Sequence, residues 1–159
     1  MLRETDELFR QVVEDVAGRY SDIQYEQFIV DDFARRIVQS PHELDVVVMP
    51  NLYGDILSDV AAGTIGGLGL APSGCYGGDF AYFESVHGTA PDIMGKNVIN
   101  PTATMLSAAM MLEYLGFGET AQRLENSIRK VYAEGRVLTP DQGGGSSTTD
   151  FTRAVLANL

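Results

Sequence analysis

Cysteine, tryptophan and basic residues are scarce in this 159-residue chain: one cysteine, no tryptophan, and 11 Lys and Arg against 22 Asp and Glu. A single cysteine, Cys75, excludes an internal disulfide framework and fits a reducing compartment. The net charge of -11 repels a phosphate backbone, which argues against nucleic acid as a partner. Long apolar runs are also missing. The longest, residues 103–112, has about half the length that a bilayer crossing needs, and no basic region precedes an apolar stretch near Met1. With 45% hydrophobic and 21% charged residues, the expectation is a folded, cytoplasmic protein with no membrane partner.

Hydrophobic spacing then divides the chain into elements. Leu8, Phe9, Val12, Val13, Val16 and Tyr20 recur at helical spacing, with Thr5 or Asp6 as the cap. Ile23, Tyr25 and Phe28 alternate with polar residues as a half-buried strand would, and residues 31–39 return to a helical pattern. Ser40-Pro41-His42-Glu43 has the form of a capping box. Val46-Val47-Val48-Met49 is a β-branched run of the kind buried in a parallel sheet, stopped by Pro50, and a helix follows from about Gly54. The glycine-rich stretch from Gly63 to Gly78 is too permissive for a regular element and marks a domain crossing. Beyond it come a short strand at Tyr82 and Phe83, and an apolar helix opened by Asn100-Pro101 with the proline at its first helical position. A helix over 119–133 ending at Gly135, a loop over 143–149 and a last helix over 150–159 complete the chain. Alternating strands and helices make the class α/β.

Two groups of residues carry chemistry. Asp55 and Asp59, four apart on a helix, share one face without a basic neighbour. Such a pair suits Mg²⁺ or Mn²⁺, which take one or two carboxylates and complete their octahedron with water and substrate oxygens. By spacing alone a solvated acidic face is the commoner reading, since paired acids are frequent on exposed helices. Gly66-Gly67-Leu68-Gly69 is not a dinucleotide fingerprint. His87, taken alone, fits a hydrogen-bonded structural histidine, and Asp92 a turn-forming acid after proline.

The order Asn51-Leu-Tyr-Gly-Asp55-Ile-Leu-Ser-Asp59, then Gly63 to Gly69, then Glu84-Ser-Val-His87-Gly-Thr-Ala-Pro-Asp92-Ile-Met-Gly-Lys-Asn-Val-Ile-Asn100-Pro101 resembles the β-decarboxylating dehydrogenases, the isocitrate and 3-isopropylmalate dehydrogenase family. The resemblance spans essentially the whole chain and implies a partial fold of that family, lacking its N-terminal half. It implies that residues 1–65 belong to the small, dimer-forming domain and 66–159 to the large cofactor-binding domain. It implies metal ligation by Asp55 and Asp59, with Asp31 as the third ligand offered across to a partner subunit; Asp32 is the second choice. Asp31 and Asp55 are also the catalytic candidates. The family chemistry explains the metal. Oxidising a 2-hydroxy acid places a carbonyl beta to a carboxylate, and a chelated cation stabilises the enolate left by loss of CO₂.

The same resemblance implies that Glu84, His87, Gly88, Ala90, Asp92, Ile93 and Asn100 contact the cofactor. A carboxylate at Asp92 accepts from ribose hydroxyls and repels a 2'-phosphate, which implies NAD over NADP. NADP-using relatives place Lys-Tyr where this chain has Asp92-Ile93, and a tyrosine where it has Pro140. Tyr53, Ser85 and Thr89 resemble NAD-dependent isocitrate enzymes more than isopropylmalate enzymes, so isocitrate is the first substrate expected and 3-isopropylmalate the second. The family's catalytic lysine precedes the segment resembling Leu2-Arg3-Glu4-Thr5-Asp6, and neither Lys96 nor Lys130 matches its motif. The chain is therefore expected to be inactive alone and to work as a homodimer or joined to the missing half. The alternative is a non-catalytic, nucleotide-binding regulatory subunit that associates with a full-length relative. Apolar residues Met105, Leu106, Met110 and Met111 are expected to be exposed by the missing half and to favour association.

Overall fold

The computed structural model describes residues 3–159; Leu2, of the segment that resembles the one following the family's lysine, lies outside the described residues. Six α-helices and one two-stranded sheet make up its longer elements among those residues. They are α1 (Arg3–Ala17), α2 (Val30–Gln39), α3 (Asn51–Thr64), β1 (Pro72–Tyr76), β2 (Ala81–Ser85), α4 (Thr102–Tyr114), α5 (Gly118–Glu134) and α6 (Thr148–Ala157). The chain separates into two compact units, residues 1–61 and 62–159.

In the first unit, α1 forms where helical spacing predicts it, yet its apolar stripe is open: Leu8, Val12 and Val16 are all exposed. The helix runs from Arg3, so Thr5 and Asp6 lie inside its first turns and do not cap it. Buried apolar side chains here are few, Phe33 and Leu57. Phe33 packs against Phe28 at 6.2 Å between ring centroids, and the Arg36 guanidinium lies over the Phe28 ring at 4.4 Å. Tyr53 Oη donates to Asp6 Oδ2 at 3.1 Å, joining α3 to α1.

Three expectations for this unit are corrected. Ile23, Tyr25 and Phe28 form no strand, and neither do Val46 to Met49, where Val46 is 90% exposed. A strand is defined by a ladder, and β-branched composition does not create one where no neighbouring strand pairs with the segment. Ser40 precedes the short turn its motif suggests, a single 3₁₀ turn over Pro41–Glu43, but its side chain makes no cap, because its φ of -137° and ψ of 49° lie outside capping geometry.

The second unit holds the larger core. Ile128 and Val131 of α5 pack with Phe151 and Val155 of α6, and Met105, Leu106 and Leu124 close over them. Met105 and Leu106 are thus inward-facing neighbours of a core, not bare surface, which corrects the expectation for that pair; Met111 is exposed. The strands β1 and β2 form an antiparallel hairpin pairing Pro72 with Ser85 and Tyr76 with Ala81. β1 lies inside the stretch expected to be irregular: Pro72 begins the strand, as proline is allowed to do, and Tyr76 and Cys75 supply residues that suit a pleated surface.

Ser107 of α4 fastens this hairpin. Its buried hydroxyl donates to the Glu84 carbonyl at 2.7 Å and accepts from Ser73 N at 3.3 Å, the two residues that face each other across the ladder. Pro101 stands just before α4, not at its first helical position, and Asn100 Oδ1 accepts from Thr102 N at 3.0 Å in place of a turn bond. α5 ends as predicted at Gly135, whose φ of 63° is the left-handed conformation that glycine adopts without strain. α6 starts on a reciprocal capping box between Ser147 and Asp150.

Candidate functional site

The carboxylate group lies in the first unit. Asp55 and Asp59 sit one helical turn apart on α3 and both are exposed. Asp55 Oδ2 accepts from Asn51 Nδ2 at 3.1 Å. Neither carboxylate has an ion pair among the described residues.

Asp31 and Asp32 occupy the first turn of α2, where acidic side chains complement the positive end of the helix dipole. Their surroundings differ. Asp32 accepts from Arg36 Nε at 2.8 Å and Arg35 Nη2 at 2.6 Å. These hydrogen bonds, from Arg36 first and Arg35 second, hold its carboxyl below the usual carboxylate range. Asp31 is exposed, accepts only from Asp32 N at 3.0 Å, and has no ion pair among the described residues. No three His, Cys, Asp or Glu side chains among the described residues cluster closely enough to hold a metal, so Asp31, Asp55 and Asp59 are not gathered within one chain. Hard oxygen donors without cationic partners fit a divalent ion as a two-carboxylate set completed from elsewhere.

The expected cofactor segment lies in the second unit and is almost free of regular structure. Glu84 stands on β2 with its side chain exposed. His87 Nδ1 lies 2.9 Å from the Gly88 carbonyl oxygen, and because a carbonyl only accepts, the ring nitrogen donates there. Ala90 takes a left-handed conformation with φ of 44°, which turns the chain into the 3₁₀ turn Pro91–Ile93 and leaves Asp92 exposed at its crest. Ile93 then enters the wall of a concave cavity of about 330 Å³, lined also by Gly95, Asn97, Val98, Ile99 and Thr148. A slightly larger cavity of about 380 Å³ lies elsewhere, lined by Leu70, Thr102, Leu106, Ile128 and Tyr132 among others.

Asn100 is placed differently from the rest. It is 3% exposed, and its amide donates to Asp141 Oδ2 at 2.9 Å and Tyr132 Oη at 3.1 Å. Its side chain is therefore committed inside the protein.

Asp141 and Gln142 were not legible as part of this region from spacing, since 41 residues separate Asp141 from its partner Asn100. Burial pushes the Asp141 carboxyl up, but hydrogen bonds that include those from Asn100 and Gln142 outweigh it and leave it below the usual range. Gln142 Nε2 donates on to the Gly66 carbonyl at 3.0 Å, so the glycine-rich stretch and Asn100, at the end of the expected cofactor segment, share one polar network.

The comparisons converge on one family. A family model described as isocitrate/isopropylmalate dehydrogenase matches residues 1–155. The chain is 48% identical to an Arabidopsis thaliana protein named isocitrate dehydrogenase (NAD) catalytic subunit 5, mitochondrial, aligning all of this chain with 43% of that one. It is also 48% identical to a Dictyostelium discoideum protein named as a mitochondrial regulatory subunit of NAD isocitrate dehydrogenase, over 45% of its length. Among solved structures, isocitrate dehydrogenase from Methylococcus capsulatus superposes with a TM-score of 0.91 at 43% identity, covering 99% of this chain and 47% of that one. The chain thus spans less than half the length of these relatives. The mitochondrial names of the Arabidopsis and Dictyostelium proteins overturn the cytoplasmic expectation. A low cysteine count, and no helix among the described residues long and apolar enough to cross a membrane, fit a mitochondrial protein as well as a cytoplasmic one, so composition had no power to separate them.

Proposed function

We propose, for a chain that belongs to the isocitrate/isopropylmalate dehydrogenase family, that it carries the metal and NAD half-sites of an enzyme that oxidatively decarboxylates a 2-hydroxy acid. Isocitrate is the first substrate and 3-isopropylmalate the second. The carrying observation is the contrast among the four acids: Asp31, Asp55 and Asp59 are exposed and without a cationic partner among the described residues, whereas Asp32 is taken up by Arg35 and Arg36. Carboxylates held in that state are available to a divalent ion.

Mg²⁺ or Mn²⁺ would be held by Asp55 and Asp59, with Asp31 supplied by a second copy. When bound, the ion supplies positive charge that orients the hydroxy acid and stabilises negative charge as CO₂ leaves. The chain's own part is positioning. α3 fixes two carboxylates one turn apart, and the Asn51 amide holds Asp55 in place. In the other half-site, Asp92 accepts from the ribose hydroxyls and rejects a 2'-phosphate, His87, Gly88, Ala90 and Ile93 line the adenosine, Glu84 stands beside it, and Asn100 anchors the end of the segment.

The two compact units support a division near residue 65 into a small, dimer-forming domain and a large, cofactor-binding one. The open stripe of Leu8, Val12 and Val16 supports association with another subunit. Proton transfer comes from groups outside these residues, since neither Lys96 nor Lys130 stands in the family motif. A second reading, a regulatory role, is favoured by the equal identity to the Dictyostelium regulatory protein; the three cation-free carboxylates favour the catalytic one.

The test is NADH formation by the complete protein that contains these residues, with Mg²⁺ and isocitrate or 3-isopropylmalate. The proposal expects activity with isocitrate that chelation and Asp55→Asn both abolish. Turnover indifferent to both would contradict it.

A further inference from the structure

The segment from His87 to Asn100 carries no strand pairing and only one 3₁₀ turn, and three of its residues, Ala90, Gly95 and Asn97, have positive φ. A stretch of this kind does not hold its own shape, because non-glycine residues at positive φ are strained and no ladder restrains them. Beyond a few turn bonds of its own, its conformation is set by anchors from neighbouring elements. At Asn97 the side-chain oxygen accepts from Thr149 N at 3.2 Å and Thr149 Oγ1 at 3.0 Å, and the backbone carbonyl accepts from Thr148 N at 2.9 Å. Thr148 Oγ1 donates to the Ile99 carbonyl. At the last residue, Asn100, the anchor is the hydroxyl of Tyr132.

Tyr132 rises from α5, its ring set against buried Phe151 at 5.3 Å between centroids. Its hydroxyl meets Thr102 Oγ1 at 2.8 Å and receives the Asn100 amide at 3.1 Å. The same Asn100 amide donates to Asp141, and Asp141 accepts from Gln142, which reaches Gly66. The ring is thus locked by the core at one end while the hydroxyl fixes the last residue of the cofactor segment at the other. Of its members Asn100 and Thr102 are buried, and buried polar groups that are all satisfied specify one geometry.

We infer that Tyr132 is a positioning residue for the nucleotide, acting through Asn100 and Thr102 without touching it. This rests on the NAD half-site proposed above. Removing the hydroxyl leaves the ring packing intact and releases the end of the segment, so nucleotide affinity falls while the fold and the carboxylate site do not change.

The experiment is calorimetric titration of the full chain with NAD, in the wild type, Tyr132→Phe, Thr102→Val and the double variant, with Mn²⁺ binding and circular dichroism as controls. The expected result is an NAD dissociation constant raised about three- to tenfold by Tyr132→Phe, the loss of one net hydrogen bond. Hydrogen exchange of amides 95–101 speeds up, the double variant is no worse than the stronger single one, and Mn²⁺ binding is unchanged. Equal NAD affinity in wild type and Tyr132→Phe would overturn the role of Tyr132 and leave the half-site standing. No NAD binding by the wild type would overturn both. Should Tyr132→Phe lose its helical signal, Thr102→Val interrogates the same hydroxyl from the other side, and unchanged affinity there overturns the inference.

Discussion

Arg36 Nε donates to Asp32 Oδ2 at 2.8 Å, while Asp31, one residue earlier, has no cation beside it among the described residues. The neighbouring carboxylates are therefore unequal. In the assembled protein, Asp31→Asn is expected to weaken Mn²⁺ affinity at least about tenfold, as the loss of a ligand should. Asp32→Asn is expected to leave Mn²⁺ binding nearly unchanged and to loosen α2 instead. Equal effects of the two on Mn²⁺ binding would contradict the assignment.

Acid should weaken the fold through carboxylates that are paired in the folded chain. Hydrogen bonds from Arg10, then Gln11, lower the Glu7 carboxyl from 4.5 to about 2, and Asp32 and Asp150 are lowered by Arg36 and by Ser147. A depressed carboxyl contributes stability that is fully present above its unfolded pKa and is lost as pH falls through the folded one. The helical signal of α1 and α2 is thus expected to hold down to about pH 4.5 and to decline from there towards pH 2. Circular dichroism across that range checks it; a decline complete above pH 5 would contradict the pairing.

Ser107 bridges Ser73 and Glu84 from a buried position. Ser107→Ala is expected to cost about 1–3 kcal/mol, because the Ser73 amide loses a partner where water does not reach easily. Denaturant unfolding of the chain measures this.

Gly144 tolerates no side chain. A Cβ there would lie 2.0 Å from the Leu138 carbonyl oxygen, a backbone atom that cannot swing aside. Gly144→Ala is expected to destabilise the second unit by about 1–3 kcal/mol or more. It should also disturb the Leu138 carbonyl, which accepts from Ser146 N at 2.9 Å. A shift in thermal midpoint within error would contradict the close approach.

The proposed preference for NAD rests on Asp92, exposed at the crest of its turn. The double change Asp92→Lys with Ile93→Tyr is expected to weaken NAD binding about tenfold and to strengthen NADP binding, since a cation replaces the carboxylate that repels the extra phosphate. An unchanged ratio of the two affinities would show that Asp92 does not face the ribose.

Elements whose signal is local were legible in the sequence. Helical spacing found α1, α2, α4 and α5, and Gly135 ended α5 where its left-handed conformation allows. Elements that depend on distant partners were not. Val46 to Met49 has strand composition but no ladder in this chain, while Pro72–Tyr76 has a permissive composition and forms one through β2. The same holds for the site. Spacing places Asp55 and Asp59 on one face of α3 because they are one turn apart, whereas the bond from Asn100 to Asp141 spans 41 residues and leaves no periodic trace. The difference between Asp31 and Asp32 also needed side-chain directions, because α2 turns one carboxylate toward Arg35 and Arg36 and leaves the other to solvent.

The most direct test of the central claim is titration of the chain with Mn²⁺, following the free ion by electron paramagnetic resonance, in the wild type and in the Asp55→Asn, Asp59→Asn double variant. The account predicts a saturable site in the wild type that the double variant loses, while an Asp15→Asn control on the exposed surface of α1 keeps it. Identical titrations of the wild type and the double variant would mean that the two carboxylates form a solvated acidic face, and would contradict the metal half-site.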